Sequence, residues 1–212
     1  MKEKLTPKTA VTVVTGILFA VYAAYNIFII FKDRSVLSSK AILISALVAL
    51  IFLIFAGFML TAGVKTKNIR FVKIRGAVFM IALAAVFLLK LNRIGSMIAY
   101  LDFSSLTTVW FDLTYFMTLI AMLLLFIYYT FILKRYPLYP KAAVALPTTA
   151  MVLFLLSLVI ELVLFIAFGI ISEASPLRTA VIRPVFYLGF AGMSAYFLFP
   201  PEAVQTNLRK TF

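Results

Sequence analysis

The chain has 212 residues, 65% of them hydrophobic, with a formal net charge of +13 and a mean hydropathy of +1.13. Soluble domains are about 45–50% apolar, so this composition belongs to a membrane protein. Cys and His are both absent, which excludes disulfides, thiolate or imidazole metal sites, cysteine nucleophiles, His-ligated haem and Ser-His hydrolysis.

Charged residues make up 13% of the chain and fall between long apolar runs. The sequence therefore predicts one transmembrane domain over 1–212, without a linker or a separate soluble domain. A spanning helix needs about 20 predominantly apolar residues. The first candidate, 9–31, is uncharged and follows Lys2, Lys4 and Lys8. It exceeds the apolar core of a signal peptide, about 7–15 residues, and reads as a retained helix. Thr12, Gly16, Ala20 and Ala24 recur every four residues along it. Such a face lets a second helix approach closely, within the chain or on another subunit. Tyr22 and Asn26 lie four apart further along.

The second span is 41–64, followed by the basic run "KTKNIRFVKIR" at 65–75, which suits topology charge or a lipid headgroup. The third, 74–95, is cleanly apolar only from Gly76 to Leu89, and Lys90 and Arg93 are expected to snorkel to the interface. The semi-apolar segment 92–110 is the longest connection and suits an outer loop or lid ending at Trp110. The fourth span, 106–133, carries Asp112, and the fifth, 148–172, carries Glu161. The sixth, 179–199, opens with "RPVFYLGFAG", which puts Arg183, Pro184, Tyr187 and two glycines in one short stretch. Proline within a span commonly kinks it. The expected fold is all-α with six transmembrane helices.

Basic residues set the orientation. Lys2, Lys4, Lys8, the five in 65–75, Lys134, Arg135, Lys141, Arg209 and Lys210 fall on one side. Lys32, Arg34, Lys40, Lys90, Arg93 and Arg178 fall on the other. The richer side is expected in the cytoplasm with both termini, and the chain in the cell membrane among its lipids. This loop-by-loop distribution explains the positive charge without nucleic acid.

Ionisable residues within spans are costly and mark functional or paired positions. Counted at about 1.5 Å per residue, Glu161 lies roughly 16 Å from Ser172, Arg183 roughly 6 Å from Thr179 and Asp112 roughly 9 Å from Leu106. Helical side chains lean toward the helix N-terminus, so Glu161 and Arg183 are expected to diverge, and Asp112 is the expected partner of Arg183. Glu161 then has three readings: a protonated core acid, a group binding a cation or a donor-rich ligand, or a partner for another subunit. Tyr22, Asn26 and Tyr187 lie near its depth, and Ser157 shares its helix face.

Intramembrane enzyme chemistries fail on residue supply. No Walker, Gly-rich phosphate or cofactor fingerprint is present, and Asp112 is the single aspartate within a span. No enzyme activity, cofactor or metal is expected. Polar residues cluster toward the outer half, which suits an outward-facing pocket.

Six helices, this length, a basic cytoplasmic side, an outer polar pocket, and Gly16 and Ala20 on helix one together resemble an energy-coupling-factor transporter S component. The resemblance is architectural and spans the whole chain. It implies a subunit that binds its solute from outside and works with a helical coupling subunit and ATPases, docking through small residues such as Gly16 and Ala20. It places the ligand site at positions corresponding to Asp112, Glu161, Arg183 and the 92–110 segment.

The expected function is binding and transport of a small polar or charged solute. Asp112 and Arg183 would form a clamp, Glu161 with Tyr22, Asn26 and Tyr187 would read a donor group, and Trp110 would stack on an aromatic ligand. The alternative is a non-transporting membrane subunit, a scaffold, assembly or immunity factor packed against partner helices.

Overall fold

The computed structural model describes residues 6–33, 37–62, 69–99, 106–133, 138–169 and 178–199. Among them there is no strand, and six helices are long and apolar enough to cross a membrane. α1 spans Pro7–Lys32, α2 Ser39–Ala62, α3 Ile69–Ala99, α4 Leu106–Ile127, α5 Pro140–Phe168 and α6 Arg183–Phe197. A π-helical turn, Tyr128–Ile132, extends α4, and another, Arg178–Ile182, leads into α6.

Local chemistry accounts for several boundaries. Thr6 caps α1, its hydroxyl accepting from the Thr9 amide at 3.3 Å, with Pro7 in the first turn. A side-chain acceptor there satisfies an amide that has no helical partner. Pro140 opens α5 in the same way, where a missing N–H costs nothing. α5 therefore starts eight residues before the expected Thr148 and runs through Pro147. It ends where Gly169 turns left-handed, φ 62°, and returns its N–H to the carbonyls of Leu164 and Phe165.

The lid expected over 92–110 is not a separate element at either end. Residues 92–99 continue α3, and 106–110 open α4; 100–105 lie outside the described residues. So do 1–5, 63–68 and 200–212, which carry much of the basic charge used for orientation.

Consecutive helices pack antiparallel, and α6 closes the ring between α5 and α1. The register is visible in the contacts. Between α1 and α6, Gly192 meets Thr15, Gly189 meets Phe19, and Tyr22 meets Phe186. Between α1 and α2, Gly16 meets Leu60 and Phe19 meets Phe55. Phe58 stacks on Phe79 between α2 and α3, with ring centroids 4.2 Å apart.

α6 touches every other helix. Phe190, fully buried, packs on Phe19 of α1, on Phe52 and Phe55 of α2 and on Phe154 of α5, at centroid separations of 5.2 to 6.0 Å. Phe197 reaches Phe79 of α3, and its carbonyl accepts the Tyr128 hydroxyl at 3.0 Å. Aromatic pairs of this kind add about 0.5–1.5 kcal/mol each beyond the area they bury. The outer faces are apolar too: Phe31, Leu43, Ile81 and Ile166 are each at least 70% exposed. An apolar surface on this scale suits lipid rather than water.

Candidate functional site

Two helix ends bring the polar residues together. Because α5 stops at Phe168, Glu161 lies only seven residues from its end, about 10 Å along the axis. Arg183 is the first residue of α6, directly after the π turn and before Pro184. Proline cannot donate to the carbonyl four residues back, and the chain accommodates this with the wider turn at the helix start. Pro184, expected to kink a continuous span, lies instead in the first turn of α6. Tyr187 follows Arg183 by one turn and so shares its face.

Glu161 is 4% exposed, and the groups around it converge on one of its oxygens. Arg183 Nη1 stands 2.9 Å from Oε1, and the Tyr187 hydroxyl donates to the same atom at 2.5 Å. The Thr114 hydroxyl, 2.9 Å from the Phe111 carbonyl on its own helix, is 3.3 Å from Oε1. Oε2 is buried and has no hydrogen-bond partner among the described residues. Ser157, one turn below, is fully buried and donates to the Leu153 carbonyl.

The basic partner of Glu161 within the chain is therefore Arg183, and the expected Asp112–Arg183 pair does not form. Asp112 is half-buried and takes part in no ion pair among the described residues. The reason is depth. A span drawn to Ser172 buries Glu161 too far, whereas the left-handed Gly169 cap raises it to within reach of Arg183.

Beside this cluster lies a cavity of about 210 Å³ bounded by residues of α1, α2, α3, α4 and α6. Among the described residues its polar lining is Lys90, Arg183 and the phenols Tyr22, Tyr115 and Tyr187, with no acid. Phe52 and Phe186 form apolar wall, and the ring of Tyr22 lies 4.2 Å from that of Phe52. Lys90 is nine residues before the end of α3 and Tyr115 nine after the start of α4, about 14 Å along each axis, while Arg183 is the first residue of α6.

Lys90 was expected to snorkel outward. It turns inward, its ammonium 4.8 Å from the Phe186 ring centroid and 5.0 Å from that of Tyr115. The Tyr115 hydroxyl donates to the Lys90 carbonyl, tying α4 to α3 at this level. An ammonium over two aromatic faces is held by their quadrupoles, so the inward position has a physical support that the linear sequence does not display.

The structure thus gathers Glu161, Arg183 and Tyr187, with Tyr22 lining the same cavity as Arg183 and Tyr187. It does not bring in the others. The Asn26 amide donates to the Tyr22 carbonyl of its own helix at 2.8 Å. Asp112, Asn26 and Trp110 are absent from the cavity lining, and Trp110 is 38% exposed. Gly16 and Ala20 are occupied inside the chain: a Cβ on Gly16 would meet Leu60 of α2 at 2.7 Å, and Ala20 packs on the core. Sequence reasoning missed Thr114, Tyr115 and the inward Lys90. The signal for the first was the buried pair Thr114 and Thr118, four apart on one face of α4. Among the described residues no group of three or more acids gathers to hold a metal ion.

Comparison with protein-family models, with curated proteins and with solved structures finds no match.

Proposed function

We propose that this chain is a multi-pass protein of the cell membrane that binds a small polar or charged solute within its helix bundle and passes it across, alone or as the substrate-binding subunit of a larger transporter. The observation that carries this reading is the cavity itself. Two cationic side chains and three phenols line a space of about 210 Å³ inside a bundle whose outer surface is apolar. Ionisable groups at such depth are costly to retain, and the default reading of their presence is a site. This volume is below the roughly 300–1,000 Å³ of pockets for drug-sized ligands, which favours a small molecule as occupant. In this reading the chain has no catalytic role of its own.

Both termini are assigned to the cytoplasm on the distribution of Lys and Arg, which turns the end nearer the cavity outward. A partner coupling subunit with ATPases belongs to this proposal as one route of release. The small-residue face of α1 would not be its dock, because Leu60 covers Gly16.

Native mass spectrometry of the protein, released gently from its own membrane, tests the reading. A retained small molecule supports a binder. A co-purifying polypeptide and no small molecule would favour the scaffold or assembly-subunit alternative. Orientation is tested separately, because the chain has no Cys and each introduced thiol is the single one. Asn68→Cys is expected to react with a membrane-impermeant maleimide only after the cytoplasmic side is opened, and Ser104→Cys in intact cells.

A further inference from the structure

A second opening lies toward the other end of the bundle. It is a groove of about 490 Å³ between α3 and the π turn that extends α4, lined by Lys73, Gly76, Ala77 and Met80 on one side and by Tyr129 and Leu133 on the other. Lys73 and Ala77 are exposed, so the groove opens on the outer, apolar face of the bundle. Its chemistry is ordered by depth. Lys73, Gly76, Ala77 and Met80 lie four, seven, eight and eleven residues inside the start of α3, from roughly 6 Å to roughly 16 Å along the axis. The Tyr129 hydroxyl reaches the Gly76 level: a Cβ on Gly76 would stand 2.8 Å from it, and glycine leaves the phenol room to lie against α3. Among the described residues neither the Lys73 ammonium nor the Tyr129 hydroxyl has a hydrogen-bond or ion-pair partner, whereas the neighbouring Arg75 is committed inward, donating to the Thr61 carbonyl at 2.8 Å. Deeper in, the Thr130 hydroxyl is turned onto the Met80 sulfur. From the helix end inward, the groove thus offers a cation, then a neutral donor, then apolar wall. A phospholipid carries its groups in the complementary order: phosphate, ester carbonyls, acyl chain. The charge at this end does not depend on any one pairing. The segments that begin, join or follow the helices here carry thirteen Lys and Arg against two acids, Glu3 and Glu202. Basic pockets between helices at a membrane surface suit anionic headgroups.

We propose that the α3–α4 groove binds one anionic phospholipid, its phosphate at Lys73, an ester carbonyl accepting from the Tyr129 hydroxyl, and one acyl chain along Ala77, Met80 and Leu133. The lipid fills the space that α3 and α4 leave between them and bridges the two helices. The proposal is independent of the solute-binding reading, and a retained phospholipid is told from a solute by its mass.

The test uses the purified full-length chain, delipidated in a non-ionic detergent and titrated with an equimolar mixture of phosphatidylglycerol and phosphatidylcholine of matched acyl chains. Native mass spectrometry counts the lipids retained and gives their relative affinities. Three variants accompany it. Lys73→Gln removes the charge in the groove. Lys141→Gln removes an exposed charge at the same end that does not line it. Ala77→Trp fills the groove from an exposed position. One phosphatidylglycerol per chain is expected, preferred over phosphatidylcholine. Its affinity should fall about fivefold in Lys73→Gln, the effect of one basic residue near an anionic headgroup, stay unchanged in Lys141→Gln and be lost in Ala77→Trp. Equal retention of the two lipids would overturn the anionic site. Equal weakening by Lys73→Gln and Lys141→Gln would overturn it too, leaving only a diffuse basic surface. Retention indifferent to Ala77→Trp would put the lipid elsewhere and overturn the assignment, as would a chain that retains no lipid.

Discussion

Arg183 Nη1 and Glu161 Oε1 meet at 2.9 Å between α6 and α5, with the carboxylate 4% and the arginine 17% exposed. Removing one partner of such a pair strands a buried charge and costs about 3–5 kcal/mol, whereas removing both is far milder. Arg183→Met is therefore expected to lower the unfolding free energy in detergent by about 3 kcal/mol, and Glu161→Gln in that background to recover most of the loss. Asp112→Asn is expected to add to Arg183→Met without rescue. Rescue by Asp112→Asn in thermal or denaturant unfolding would contradict the pairing.

The groups around Oε1 should differ in weight. Tyr187 donates at 2.5 Å; Thr114 shares its proton with the Phe111 carbonyl. Tyr187→Phe is expected to cost about 1.5–3 kcal/mol, the range for a hydrogen bond to a charged group, and Thr114→Val about 1 kcal/mol or less. Equal losses in the two variants would mean that Thr114 commits its proton to the carboxylate.

Glycine positions give a prediction independent of charge. A Cβ on Gly192 would collide with Thr15 Oγ1, while one on Gly57 would meet nothing within 4 Å. Gly192→Ala should destabilise by about 1–3 kcal/mol through overpacking, with Thr15→Ala restoring part of it. Gly57→Ala should be neutral or stabilising, since alanine is the better helix former by about 0.8–1.0 kcal/mol. The order of the two melting temperatures decides the matter.

The aromatic contacts predict where truncation hurts. Phe190 is fully buried among rings from three other helices, and Phe190→Ala is expected to cost about 3–5 kcal/mol. Ile81, 70% exposed on α3, should tolerate alanine within about 0.5 kcal/mol. Comparable losses at the two positions would contradict the assignment of core and outer face.

How far the sequence could be read divides by the kind of information. The six spans follow from apolar length, and their existence survives errors of several residues at each end. The partner of Glu161 depended on one such end. Carrying the fifth helix to Ser172 placed the acid four residues too deep, although a glycine after an apolar run is a known stop signal, and Gly169 is that glycine. Pro147 and Lys141 made the start of α5 look like a loop, because proline's cost is local and the helix as a whole can bear it. Lys90 marks the other limit. A lysine near the end of a span can turn outward to water or inward over aromatic faces, and the choice rests on Phe186 and Tyr115, which are distant in the chain.

α6 lies among the other five helices and is also the last of them to be synthesised. While it is still emerging, Phe19, Phe52, Phe55 and Phe154 have no Phe190 between them, and Glu161 has no Arg183. The earlier five helices therefore leave an open aromatic slot and an acid without this arginine until α6 enters, so the packing of five helices is completed by the arrival of one.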